Sequence, residues 1–287
     1  MSKTVIIVQA RTQSSRLPGK TLLPLLGKSL LYRMIERLRM IRHDVRIVVA
    51  TSLSTADDDI ESEAICSDVE YYRGSMYNLL DRHYEAARKY EAEVVLKIPS
   101  DCPLIDPAAV DHVLDFFFAQ QGKYDYVSNL HPATWPDGND VEVMTMACLT
   151  KAWKKARRNF ELEHTTPYIW ENPGQFRMGN VQMPGGKDLS MSHRFTIDYP
   201  DDYKFITKVF EALYPVNPGF GCNDILHYLD QHHDTYMINA HLTGINWYRH
   251  HLDELKTVNR DAVKTTYNKE LDLPFPQQPG NLHYRNA

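Results

Sequence analysis

Four short apolar runs, each followed by a segment of helical periodicity, constrain this chain more than any other feature. They fall at residues 5–8, 45–50, 69–74 and 93–98. Each has strand length and is rich in Val, Ile or Tyr. After the first, Leu30, Leu31, Met34, Ile35, Leu38 and Ile41 recur at helical spacing, with Arg33, Glu36, Arg37 and Arg39 between them. A second helix is expected from Thr55-Ala56-Asp57, where acidic residues suit the positive end of the helix dipole. A third is expected at 78–90 and a fourth at about 107–120. Such alternation builds an α/β fold with a mostly parallel central sheet and helices on both faces.

The second half is less regular. Strands are expected at 124–129, 141–144, 177–182 and 194–198, and helices at about 150–159 and 201–213. Past Pro218 the chain is rich in His, Asn and Tyr, and residues 273–280 read as an extended, Pro-rich tail.

Composition excludes several classes. With 43% hydrophobic and 24% charged residues in 287, the chain can bury a substantial core. A formal charge of −5 gives no general attraction to nucleic acid, so a locally basic loop points to a small anionic ligand. Cys66, Cys102, Cys148 and Cys222 are scattered, without the C-x-x-C spacing of a zinc or redox site. No run has the length of a membrane span, and the apolar stretch after Met1-Ser2-Lys3 is too short for a signal peptide. A cytoplasmic protein with reduced thiols is expected.

The most chemically loaded stretch runs from Gln9 to Lys20, at the end of the first strand. It carries Arg11, Arg16 and Lys20 with Ser14, Ser15 and the turn Pro18-Gly19. Ligands of open α/β sheets bind outside the carboxyl ends of the strands. Arg forks, a Lys point charge and turn N–H groups all suit phosphate oxygens. Gly19-Lys20-Thr21 imitates the end of a Walker A loop, but Ser14 stands where that motif requires glycine. On residues alone the loop is either a phosphate cradle or a solvated basic turn.

Asp101 and Asp198 follow strand-like runs at the same sheet edge. They read either as caps of the next turns or as hard ligands for Mg²⁺, which takes one or two carboxylates plus phosphate oxygens. Asp137, Asp140 and Glu142 form a second acidic group with the same ambiguity. The pairs His232-His233 and His250-His251 make no metal motif, because neighbours on a regular element point apart. His164, between Glu161, Glu163 and a Thr-Thr-Pro turn, is the histidine of most interest.

These residues carry a family resemblance. Gln9-Ala10-Arg11 with Ser14-Ser15-Arg16-Leu17-Pro18-Gly19-Lys20 resembles the opening signature of the CMP-Kdo and CMP-sialic acid synthetases. The nearer resemblance is to the spore-coat-polysaccharide (SpsF-like) cytidylyltransferases. Arg73-Gly74-Ser75, Leu80-Asp81-Arg82, Ser100 to Asp106, Pro136-Asp137-Gly138, Asp140 to Val143, Glu163 to Ile169 and Thr196 to Asp202 are similar too, in collinear order over roughly residues 4 to 210. Where the sugar-acid synthetases have Gln-Gly-Asp, this chain has Pro99-Ser100-Asp101.

The resemblance implies a nucleotide-diphosphosugar-transferase-like (Rossmann-like) fold. The catalytic domain would span 1–250, with a partly extended C-terminal extension over 251–287. The implied reaction moves CMP from CTP to a sugar acid or related glycan precursor and releases pyrophosphate. Ala10, Arg11, Ser15, Arg16, Lys20, Ser75 and Asp81 would bind the nucleotide, with Arg11, Arg16, Lys20 and Asp101 catalytic and Asp101 and Asp198 holding Mg²⁺. Asp137, Asp140, Glu142 and His164 would face the acceptor, His164 as a cation or a general base. A homodimer without nucleic-acid or membrane partners is expected. A phosphate or phosphonate acceptor, sugar transfer from a nucleotide sugar, and a non-catalytic nucleotide-binding role are the alternatives.

Overall fold

The computed structural model describes residues 3–120 and 122–264. β1 (Thr4–Gln9) divides its side chains between two cores, as strand geometry requires: Ile6 and Val8 enter one, Val5 and Ile7 the other. A hairpin of β2 (Pro24–Leu25) and β3 (Lys28–Ser29) stands apart from the main sheet. β4 (Arg46–Ser52) and β5 (Glu70–Gly74) extend that sheet on one side of β1. β6 (Val94–Pro99), β7 (Tyr126–Ser128), β8 (Glu142–Thr145) and β9 (Met178–Asn180) complete seven strands in the order β5-β4-β1-β6-β8-β7-β9. β5, β4, β1 and β6 are parallel, whereas β8 runs antiparallel to both β6 and β7. The strand order reverses beside β1, so loops after β1 and β6 flank one crevice.

Helices cover both faces. α1 (Leu30–Leu38), α2 (Asp58–Cys66) and α4 (Pro107–Ala119) bury Met34, Ile60 and Val113 with Ile6 and Val8. On the other face, α3 (Leu79–Lys89), α5 (Met146–Lys155), α6 (Asn159–His164) and α7 (Pro167–Trp170) bury Leu80, Leu149, Phe160 and Ile169. A third core joins Leu104 and Phe195 to α8 (Pro200–Leu213) and α9 (Cys222–Gln231), next to α10 (His233–Met237).

Several sequence expectations need correction. Residues 194–198 form no strand. Their backbone bonds go singly to loops, Phe195 N–H to Asp137 O and Ile197 N–H to Asp101 O, so they join no ladder. The helix expected at 150–159 starts earlier, because Thr145 Oγ1 accepts from Cys148 N–H, and it ends at Lys155 before the separate α6. Arg33 and Arg37 are not on a solvated face of α1. Arg37 is buried, with its guanidinium donating to Ile105 O and Phe220 O, and Arg33 donates to Leu25 O and Leu26 O. Carbonyls of neighbouring loops satisfy both side chains. Residues 251–264 pack on the same body, with Leu255 in the second core. The 273–280 tail lies outside the described residues.

Candidate active site

A cavity of about 980 Å³ opens over the carboxyl ends of β1 and β6. The loop after β1 is folded on itself: Thr12 O accepts from Ser14 N–H at 2.9 Å and Gly19 N–H at 2.8 Å. Gly19 holds φ at 67°, in the left-handed region that favours glycine. The loop is also pinned from outside. Asp57 Oδ1 accepts from the Thr12 N–H and Oγ1–H, both at 2.8 Å. Burial works to raise the Asp57 pKa, but hydrogen bonds from Ser52 and Thr12 outweigh it and the carboxyl stays below its ordinary value. In the sequence Asp57 is legible only as a helix-dipole residue.

Lys20 is the centre of the site. Its nearly buried Nζ donates to Asp101 Oδ2 at 3.0 Å, Asp198 Oδ1 at 2.9 Å and Ile197 O at 2.7 Å. Burial alone would lower the Lys20 pKa; the two carboxylates reverse this and raise it. Arg16 Nη2 donates to Asp198 Oδ1 at 2.7 Å, and Arg194 Nη2 reaches Asp198 Oδ2 at 3.2 Å. Burial opposes ionisation of Asp198, yet Lys20, Arg16 and Arg194 together hold its pKa far below the ordinary carboxylate value. Arg11 and Ser15 lie exposed at the rim, and Ala10 is a buried wall residue.

Two hard carboxylates thus converge on one cation position, the chemistry Mg²⁺ asks of protein ligands. Among the described residues no group of three or more His, Cys, Asp or Glu could hold a metal ion. Asp101 and Asp198 are the carboxylates that would hold a Mg²⁺ ion completed by phosphate oxygens and water.

Asp137, Asp140, Glu142 and His164 line the same cavity. Asp137 Oδ2 pairs with Arg194 Nη1 at 3.0 Å. Burial, against the pull of Arg194, raises the Asp137 pKa to about 8, with Asp140, Asp198 and Asp101 adding to the effect. Asp140 accepts from Gly138 N–H at 3.3 Å, and burial and Asp101 raise its pKa to about 6. Glu142 is buried and accepts from Lys97 and from the Tyr126 hydroxyl at 2.6 Å. Burial would raise its pKa, but the Lys97 charge and hydrogen bonds win and lower it. His164 stacks on Trp247 with ring centroids 3.8 Å apart. Burial, then Lys97, holds its pKa well below the ordinary value, so the imidazole is neutral near pH 7 and is not a cation.

Ser75 and Asp81 are not brought to the cavity. The Ser75 hydroxyl accepts from Asn78 N–H, and Asp81 on α3 turns towards α5 to accept from Trp153 Nε1–H at 2.9 Å. The next residue, Arg82, faces the cavity instead, donating to the backbone oxygens of Ser75 and Met76. Burial, and then Arg11, lowers its pKa to about 10. Also absent from the sequence-derived set are Lys97, His131, Trp170, Trp247 and Tyr248, which line the far half. The last two fall in the His- and Tyr-rich region, and composition was the only signal for them.

A cytidylyltransferase family model matches residues 5–216. The spore coat polysaccharide biosynthesis protein SpsF of Bacillus subtilis is 30% identical over 216 residues, 74% of this chain and 88% of its own. The 3-deoxy-manno-octulosonate cytidylyltransferase of Escherichia coli is 32% identical over 117 residues, 40% of this chain and 46% of its own. A solved cytidylyltransferase from Leptospira borgpetersenii superposes with a TM-score of 0.77 at 31% identity, over 82% of this chain and 97% of that one. With its basic β1 loop and paired aspartates set at the switch point of the sheet, the chain belongs to the cytidylyltransferase family.

Proposed function

We propose that this enzyme transfers CMP from CTP to an oxygen of a sugar acid or related glycan precursor, releasing pyrophosphate. One observation carries the reading: Lys20 and Arg16 meet Asp101 and Asp198 at one end of a cavity that continues to Asp140, His164 and Tyr248. Nucleotide and acceptor therefore have room side by side. The names of the SpsF and 3-deoxy-manno-octulosonate relatives support a glycan precursor as acceptor.

Arg11, Ser15, Arg16 and Lys20 hold the triphosphate. An acceptor oxygen forms a bond to the α-phosphorus as the bond to the bridging oxygen of pyrophosphate breaks. Arg16 and Lys20 supply preorganised positive charge to that departing group. The acceptor proton passes to His164, whose neutral imidazole lines the same cavity. Asp101 and Asp198 would hold a Mg²⁺ ion, which when bound neutralises charge on the phosphates.

A panel of CTP, UTP, GTP and ATP against pooled sugar acids and phosphonates, read by pyrophosphate release, tests this proposal. Acceptor-dependent release is expected with CTP, and Asp101→Asn is expected to reduce it by about a hundredfold or more. Release that follows another nucleotide, or an Asp101→Asn enzyme as active as the parent, would overturn the assignment. Phosphonate-dependent release would move the acceptor class.

A further inference from the structure

The family match ends at residue 216, but the cavity wall continues beyond it. Residues 244–248 and 257–259 also line the cavity, and they are anchored there. Ile245 O accepts from the buried Arg194 guanidinium at 3.1 Å. The Glu171 carboxylate accepts from Lys256 N–H at 2.8 Å and Thr257 N–H at 2.9 Å. This strap brings aromatic side chains to the cavity wall beside His164. Trp247 stacks on His164, and Tyr248 meets Trp170 edge-on at 6.0 Å, with His131 4.6 Å from Trp170.

The acidic groups there are only partly balanced, with Arg11 and Arg16 also acting on His164. Lys97 is committed to Glu142, and Arg194 to Asp137, Asp198 and Asp202. Asp140 and Glu163, which line the cavity, have no cation at ion-pair distance among the described residues. Unmet hydrogen-bonding capacity is present as well. Asn139 is 1% exposed and lines the cavity, yet its Nδ2 has no partner among the described residues. The acidic floor also reaches the strap: after burial itself, Glu142, Asp140 and Asp137 raise the Tyr248 phenol well above its ordinary pKa.

We propose that the strap at 244–248 forms the distal acceptor subsite, and that this subsite takes a polyhydroxylated ring bearing a protonated amine. The C–H face of such a ring packs on Trp247 and Tyr248, removing apolar surface from water. A hydroxyl accepts from Asn139 Nδ2. The ammonium group lies between Asp140, Glu163 and the aromatic faces, where carboxylate attraction and cation–π attraction act together. An anionic group in the same place meets unpaired carboxylates and is rejected. The inference rests on the cytidylyl-transfer reading of this cavity and adds the character of the acceptor.

Calorimetric titration of the full chain, first with CTP and then with sugar probes in the presence of CTP and Mg²⁺, tests it. The probes are glucosamine, N-acetylglucosamine and glucose, which share a ring and differ in whether it carries a free amine. Glucosamine is expected to bind about tenfold more tightly than the other two. Asp140→Asn, nearly isosteric, should erase that preference, and Trp247→Ala should weaken glucosamine by about tenfold. CTP titration of each variant reports whether its fold is intact. Equal affinities, a preference for glucose or N-acetylglucosamine, or no saturable binding of any probe to the CTP-bound enzyme would overturn the proposal. Failure of CTP itself to bind would instead sink the cytidylyl-transfer reading, and the subsite with it.

Discussion

Single residues here are set by their electrostatic surroundings more than by their type. Asp198 and Asp140 are both cavity aspartates, yet three cations hold one far below the ordinary pKa while burial and a neighbouring carboxylate raise the other to about 6. Two histidines, the buried His83 and the half-buried His131, give the same lesson a pH signature. Burial pushes His83 down to about 3 and His131 to about 4. For a depressed histidine the unfolded chain takes the proton first, so its contribution to stability is complete above the unfolded pKa of about 6.5 and falls on acidification. His131→Phe, which keeps a ring against Trp170, should therefore make the loss of stability between pH 7 and pH 5 smaller by about 2 kcal/mol. Urea midpoints across that range would show it; parallel curves for parent and variant would remove His131 from the effect. Of the cationic loop, Arg16 and Lys20 were open to two readings in the sequence, because cations around a Pro-Gly turn serve a phosphate cradle and a solvated turn equally well. Arg82 was not legible, because the sequence does not say which residue of a helix turn faces a cavity.

At the scale of elements, the segment before α8 does the joining. The side chain of Arg194 is fully buried and donates to Asp137, Asp198, Asp202 and Ile245 O, tying the acidic loops to the strap. Asp202 Oδ2 in turn accepts from the N–H groups of Asp198 and Tyr199 at the start of α8. Removing one member of such a buried network leaves charge without a partner. Arg194→Met should cost about 3–5 kcal/mol in chemical denaturation. Lys208→Ala, which breaks only the exposed pair with Glu211, should cost no more than about 1 kcal/mol. Similar losses from both would contradict this account. Strand periodicity at 194–198 was misleading for a physical reason. Phe195 and Ile197 alternate inward into a core, as strand residues do, but their backbone partners are the loops after β6 and before β8.

Across the whole molecule, nucleotide and fold should be coupled, because the cavity draws its lining from β1, β6, the acidic loops and the C-terminal strap. CTP at about a hundred times its dissociation constant should stabilise the protein by about 2.7 kcal/mol. Thermal unfolding would register this as a rise in Tm with CTP, smaller for Lys20→Ala; no rise at saturating CTP would show that the nucleotide does not bind the native cavity. The sequence by itself determined the α/β class, the parallel half of the sheet and the basic loop, since apolar period, capping and turn chemistry are local. Only the tertiary structure decided that Lys20 bridges Asp101 and Asp198, that Asp81 turns away, and that Trp247 and Tyr248 reach the acceptor half. Those facts depend on contacts between segments far apart in the chain, and local pattern carries no record of them.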